Sequence, residues 1–234
     1  MLRKMLWALG VSLILVCLCG AFLQRHALAC ELLPVLSYQQ ISTNVYAKAM
    51  PDEQRAHFSD LLELAFERIK GLYGTPVSEP RIVIVPSAEA ALAWGANETA
   101  SMHRLPWRAC IVVGPQGLNV DVLAHEWLHA EIQQRVGFVR LLKDIPVWFD
   151  EGAALTVDHR PPFLPDNIEL TEAEVAEVTK RSSAKPFFSG DIRKNYQAAR
   201  LAVEPLIVPE QFYADLDRIS DGEPFKQVFL NEDR

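Results

Sequence analysis

Asn119-Val120-Asp121-Val122-Leu123-Ala124-His125-Glu126-Trp127-Leu128-His129 is the stretch on which the reading of the chain turns. It predicts a helix: Asn119 is a suitable N-cap, and Asp121 puts a negative charge in the first turn, where the helix dipole favours it. Residues four apart share a helix face with Cβ atoms ~5 to 6 Å apart, so His125 and His129 can turn imidazole nitrogens toward one ion. Zinc takes nitrogen at about 2.0 to 2.1 Å in a tetrahedron, and two such histidines fill two corners. Glu126 then projects beside the ion, close enough to act on a water without ligating the metal. On the same helical wheel both histidines align with Val122, Ile132 and Val136, an apolar stripe that ordinary packing also explains. A third ligand has to decide between the two readings.

Downstream, Asp144-Ile145-Pro146-Val147-Trp148-Phe149-Asp150-Glu151-Gly152-Ala153-Ala154 supplies a candidate in Glu151. Pro146 suits the first turn of a helix, and the three small residues after Glu151 let that helix approach another closely. Twenty-one residues lie between His129 and Glu151, enough for the first helix to end and for the chain to return antiparallel to it. Two histidines and one carboxylate leave the fourth position of a zinc ion open to water, the arrangement of hydrolytic rather than structural sites.

With both segments in place, the chain resembles the gluzincin metallopeptidases, in which HExxH on one helix is followed by a Trp-x-x-Glu-Gly-x-Ala segment on the next. The closest grouping is the short peptidase MA-like family of exported bacterial proteins. The likeness runs from about Arg81 to about Phe229, and its specific part is the dozen residues of the two motifs. The resemblance implies a small zincin-like domain holding one Zn2+ through His125, His129 and Glu151. It also implies that Glu126 acts as general base, taking a proton from water and later delivering it to the leaving amine of a cleaved peptide bond. Further implications are an edge strand beside the active-site helix, which Ala109 to Val113 would supply alongside its role in the core, and a Tyr or His that stabilises the oxyanion. Tyr196 is the candidate for that last role, set against simple packing on an amphipathic helix. The chain lacks the additional domains with which large aminopeptidases recognise a free N-terminus, so aminopeptidase action does not carry over.

Outward from these motifs, the remaining pattern is α+β. Pro51 to Gly74 carries apolar residues at helical spacing, Arg81 to Val85 and Ala109 to Val113 are β-branched runs bounded by Pro and Gly, and Ser87 to Gly95 reads as a short capped helix. Ala96 to Leu105 is polar and reads as a loop. Helical segments then follow near Pro146 to Val157, Leu170 to Ser182, Arg193 to Leu206 and Glu210 to Ile219. A few-stranded N-terminal sheet before a mainly helical part is the expected architecture. His57, His103 and His159 have no partner at ligand spacing and read as surface or satisfied histidines.

The chain has 234 residues, with 23 Lys+Arg against 30 Asp+Glu, for a net charge of −7. Residues 1–29 hold three cations (Arg3, Lys4, Arg25) and no acid, so the remaining body, 30–234, carries −10. Such a body has no electrostatic footprint for nucleic acid, and its length suits one domain. Met5 to Leu23 is uncharged, about 28 Å as a helix, and follows a basic start, which predicts a signal peptide or a membrane anchor with the body on the non-cytoplasmic side. Ala27-Leu28-Ala29 matches a cleavage site, and cleavage and retention both stay open. Cys17 and Cys19 lie in that leader; Cys30 and Cys110 either pair in an oxidising compartment or stay apart.

Peptide hydrolysis therefore leads the functional expectations, with a peptide or protein substrate and with the membrane as a partner if the leader stays. The rivals are a catalytically silent peptide- or protein-binding module on the same fold, and a zinc hydrolase acting on another bond.

Overall fold

The computed structural model describes residues 24–48 and 51–231, with the isolated positions 7, 10, 20 and 22. The expected leader span, Met5 to Leu23, falls almost wholly outside the described residues, among which no helix is long and apolar enough to cross a membrane. In chain order the elements are α1 (Arg25–Glu31), β1 (Gln39–Ser42), β2 (Val45–Ala47), α2 (Asp52–Tyr73), β3 (Arg81–Ile84), α3 (Ala88–Ala93), β4 (Ala100–Leu105) and β5 (Arg108–Val113). The helical part follows with α4 (Val120–Val136), α5 (Phe138–Asp144), α6 (Val147–Ala154), α7 (Glu172–Val178), α8 (Ala184–Phe187), α9 (Ile192–Val203), α10 (Phe212–Asp221) and α11 (Phe225–Phe229). The architecture is α+β, with a mixed five-stranded sheet in the order β1-β2-β3-β5-β4.

Strand β3 pairs parallel with both β2 and β5, so both its edges are bonded, and all four of its residues are buried. Its alternation sorts the core. Ile82, Ile84, Ile111 and Val113 face a large apolar cluster with α2 and α4, while Val83, Val85, Cys110 and Val112 face a smaller one with α1 and α3. Helix α2 contributes Phe58, Leu62, Ala65 and Ile69 at the spacing of one helix face and stops at Gly74, whose positive φ of 92° suits glycine. On the opposite side of the sheet Cys30 is bonded to Cys110 with a Cα separation of 6.3 Å, which ties α1 to β5. The boundary expected between residues 29 and 30 lies inside α1, and Ala27 of the cleavage-like pattern is buried there.

The segment Ala96 to Leu105 corrects the loop expectation, because Ala100–Leu105 is β4, antiparallel to β5 from Ala100 opposite Val113 to Leu105 opposite Arg108. Its polarity has a plain cause. As an edge strand it buries only its ends, Ala100 and Leu105, and leaves Ser101, Met102, His103 and Arg104 half-exposed. A second correction follows for Ala109 to Val113, which lies in β5 with neighbours on both sides and has no free edge. The hairpin β1-β2, of four and three residues, is too short to leave a periodic signal.

Candidate metal centre

Helix α4 brings the histidines into place. The Asn119 side chain accepts from the Val122 N–H at 3.0 Å, as its N-cap position predicts, and Asp121 goes beyond the dipole role by pairing with Arg68 of α2. After α4 ends at Gly137, α5 fills the return and α6 carries Glu151 back against the histidines. The fit is close: a Cβ on Gly152 would collide with the Ala199 carbonyl and the Val203 side chain of α9, so only glycine lets α6 and α9 approach this far.

His125 Nε2 and His129 Nε2 are 3.1 Å apart, and Glu151 Oε2 lies 3.6 Å from the first and 3.4 Å from the second. Ligands about 2.05 Å from one ion at tetrahedral angles stand about 3.3 Å apart, so these three edges are those of a zinc-sized tetrahedron. All three residues are buried, and they form a His/His/Glu group able to hold a metal ion.

The donor chemistry agrees. His129 Nδ1 sits 3.0 Å from Asp150 Oδ1, and a carboxylate only accepts, so Nδ1 carries a hydrogen and Nε2 is the ring atom left to ligate an ion. Asp158 Oδ2 faces His125 Nδ1 from the opposite side at 3.7 Å, too far for the same hydrogen bond. The two Nε2 atoms and a carboxylate oxygen thus converge on one point, and Glu151 Oε2 is buried there with no hydrogen-bond partner. That arrangement calls for a cation.

The acid–base balance expresses the same need. Burial works against ionisation of Glu151, yet the two histidines outweigh it and hold its carboxyl well below the usual range. Burial also works to lower His129, but Asp150 and Glu151 outweigh that and hold the imidazole well above its ordinary value. Glu126, half-buried on the wall of the same cleft, is pushed up by burial against the opposing pull of His125 and His129.

The cleft has a volume of about 490 Å³ and is walled by β4 on one side and by α5, α6 and α9 on others. Tyr196 of α9 lines it: the ring centroid lies 6.5 Å from that of His125, and burial with the neighbouring Glu151 and Glu126 carboxylates drives the phenol far up. The ring also packs on Phe187 at 5.5 Å, so contact with the site and core packing coexist. His57 and His159 are exposed, and His103 is satisfied by the Trp94 carbonyl at 2.7 Å.

Four residues of the site were not among the sequence candidates. Arg104 of β4 donates to Asp150 Oδ2 at 2.7 Å, and Arg160 grips Asp158 through Nε at 2.9 and 3.0 Å, so each histidine is backed by an aspartate that an arginine holds. Asp150 alone had a trace in the sequence, as an acid in an otherwise apolar helical turn. Comparison with known proteins finds no matching family model, no similar curated protein and no similar solved structure.

Proposed function

We propose that the chain is a zinc-dependent peptidase of gluzincin type on a zincin-like fold. The observation that carries this reading is the set of three separations among His125 Nε2, His129 Nε2 and Glu151 Oε2, which match one tetrahedral ion. A zinc ion held there supplies Lewis-acid polarisation of a substrate carbonyl and of a water.

The chain's own residues divide the remaining work. Glu126, one residue past a ligand and kept basic enough by its surroundings to accept a proton, takes that proton from water and returns it to the leaving nitrogen. The Tyr196 hydroxyl, protonated across the physiological range, donates a hydrogen bond to the oxyanion as it develops. Strand β4 borders the cleft through Ala100, Ser101 and Met102 and leaves one edge unpaired, which suits an extended peptide adding as a further strand. The leader points to action on the non-cytoplasmic side of the membrane.

The test is the zinc content of the full chain beside Glu151→Ala and Glu126→Gln. One equivalent is expected in the parent, a marked loss in Glu151→Ala, and retained zinc with lost peptide turnover in Glu126→Gln. A folded parent that refuses added zinc would return the histidines to the apolar stripe.

A further inference from the structure

A second hollow of about 330 Å³ shares no lining residue with the metal cleft. It lies where β3 and β5 begin, between the Val77–Pro80 approach to β3, the β1-β2 turn at Asn44, the β4-β5 turn at Trp107 and the C-terminal half of α4. From this hollow the structure assigns a binding site for a neutral saccharide, with Trp107 as the platform and Ser78, Gln133 and Arg108 as the polar contacts.

Unpartnered polar atoms are the first support. Buried donors and acceptors without partners keep their full desolvation penalty, so proteins keep few of them. Among the described residues eight such side-chain atoms occur; the metal centre accounts for Glu151 Oε2, and the second hollow is lined by the owners of two more, Ser78 Oγ and Gln133 Oε1. Both residues are more than nine-tenths buried, Ser78 at 7% exposure and Gln133 at 4%. The diagnostic that marks the metal site therefore marks this one as well.

The polar groups are also held still. Gln133 Nε2 donates to the Leu105 carbonyl at 2.8 Å, which fixes the amide so that Oε1 is the free end. The N–H groups of Val77 and Ser78 donate to the fully buried Glu131 carboxylate at 2.9 and 2.7 Å, which anchors the loop to α4. A preorganised wall lowers the entropic cost of binding. Arg108 is only loosely engaged, 3.7 Å from Glu31 and 3.5 Å from Asn44 Oδ1, and keeps donors to spare.

Ligand class follows from this inventory. A free acceptor on Gln133, a hydroxyl on Ser78 that can act either way, amide groups on Asn44 and Gln134, and one cation opposed by Glu79 ask for several uncharged donors and acceptors, which are sugar hydroxyls or acetamido groups. Trp107 remains 59% exposed beside them, a large flat apolar surface suited to the C–H face of a pyranose ring.

The experiment titrates the full chain, purified without glycoside detergents, with maltotriose and with N,N′,N″-triacetylchitotriose while following amide resonances of Arg108 and Gln134. Saturable shifts in the millimolar range are expected with at least one of the two. Trp107→Ala should weaken binding about tenfold with zinc content unchanged. Ser78→Ala removes an unsatisfied hydroxyl, so it should raise the melting temperature of the free protein while weakening the saccharide about fivefold; a residue with only a packing role would not move the two in opposite directions. The site is refuted if neither sugar shifts these resonances, if glycerol gives the same shifts, or if Trp107→Ala binds as the parent does.

Discussion

The two histidines of the one motif are supported unequally. His129 is locked: Asp150 meets its Nδ1 at 3.0 Å, and Arg104 holds Asp150 at 2.7 Å from a strand across the cleft. His125 faces Asp158 at 3.7 Å, beyond hydrogen-bond reach, although Arg160 grips that aspartate firmly. The difference teaches that one corner of the tetrahedron is set before any ion arrives, whereas the other needs a small movement to close. Carboxylates behind metal-bound histidines fix the tautomer and raise ligand basicity, so the two sides should contribute unequally to metal affinity.

The largest effect is expected from breaking the locked side. Asp150→Ala strips His129 of its acceptor and leaves the Arg104 guanidinium facing a buried gap, which should lower zinc affinity about 100-fold and destabilise the fold by about 3 kcal/mol. Chelator competition and urea unfolding measure the two; an affinity within a few-fold of the parent would show that the lock is ornamental. Next in size is Gly152→Ala. The added methyl must displace the Ala199 backbone or α6 itself, so a loss of about 1 to 3 kcal/mol is expected, with weakened zinc binding because Glu151 moves with its helix. Unchanged stability would mean that the α6-α9 contact relaxes freely.

On the open side, Asp158→Asn should cost only about tenfold in zinc affinity, the lower end for such partners, because the contact it removes is not yet made. A loss equal to that of Asp150→Ala would erase the asymmetry.

How much of this was legible beforehand follows from the range of each signal. Helices α2 and α4 announce themselves through period and caps, and Glu151 through the small residues beside it, because these signals lie within a few turns of chain. Strand β4 hides because an edge strand is polar where a loop is polar, and with it goes Arg104, whose partner is 46 residues away. Asp158 and Arg160 follow the end of α6 in a run with no period, and their meaning comes only from a histidine 33 residues earlier. The hollow beside Trp107 gathers four separate chain segments, and no local pattern could have joined them.

The smallest effect concerns what holds Asp158 in place. The Tyr73 hydroxyl donates to Thr156 Oγ1 at 2.6 Å, since that oxygen spends its own hydrogen on the Ala153 carbonyl, and Arg68 binds the Val157 carbonyl at 3.0 Å. Together they pin the segment leading into Asp158 to α2. Burial pushes the Tyr73 phenol up to about 12. A folded value above the unfolded one of about 10 means that the contribution is whole below about pH 10 and falls away as pH climbs toward 12. About 1 kcal/mol should therefore be lost from this group between neutrality and about pH 11, beside the loss from the likewise raised Tyr196, and Tyr73→Phe should make the alkaline slope shallower by that amount while costing about 1 kcal/mol at neutral pH. If the slope is unchanged in Tyr73→Phe, Tyr73 contributes nothing to alkaline stability. If it becomes shallower and zinc affinity at neutral pH falls only slightly, the reach of Asp158 toward His125 is set mainly by Arg160, and the open side is open because its aspartate is held by that arginine.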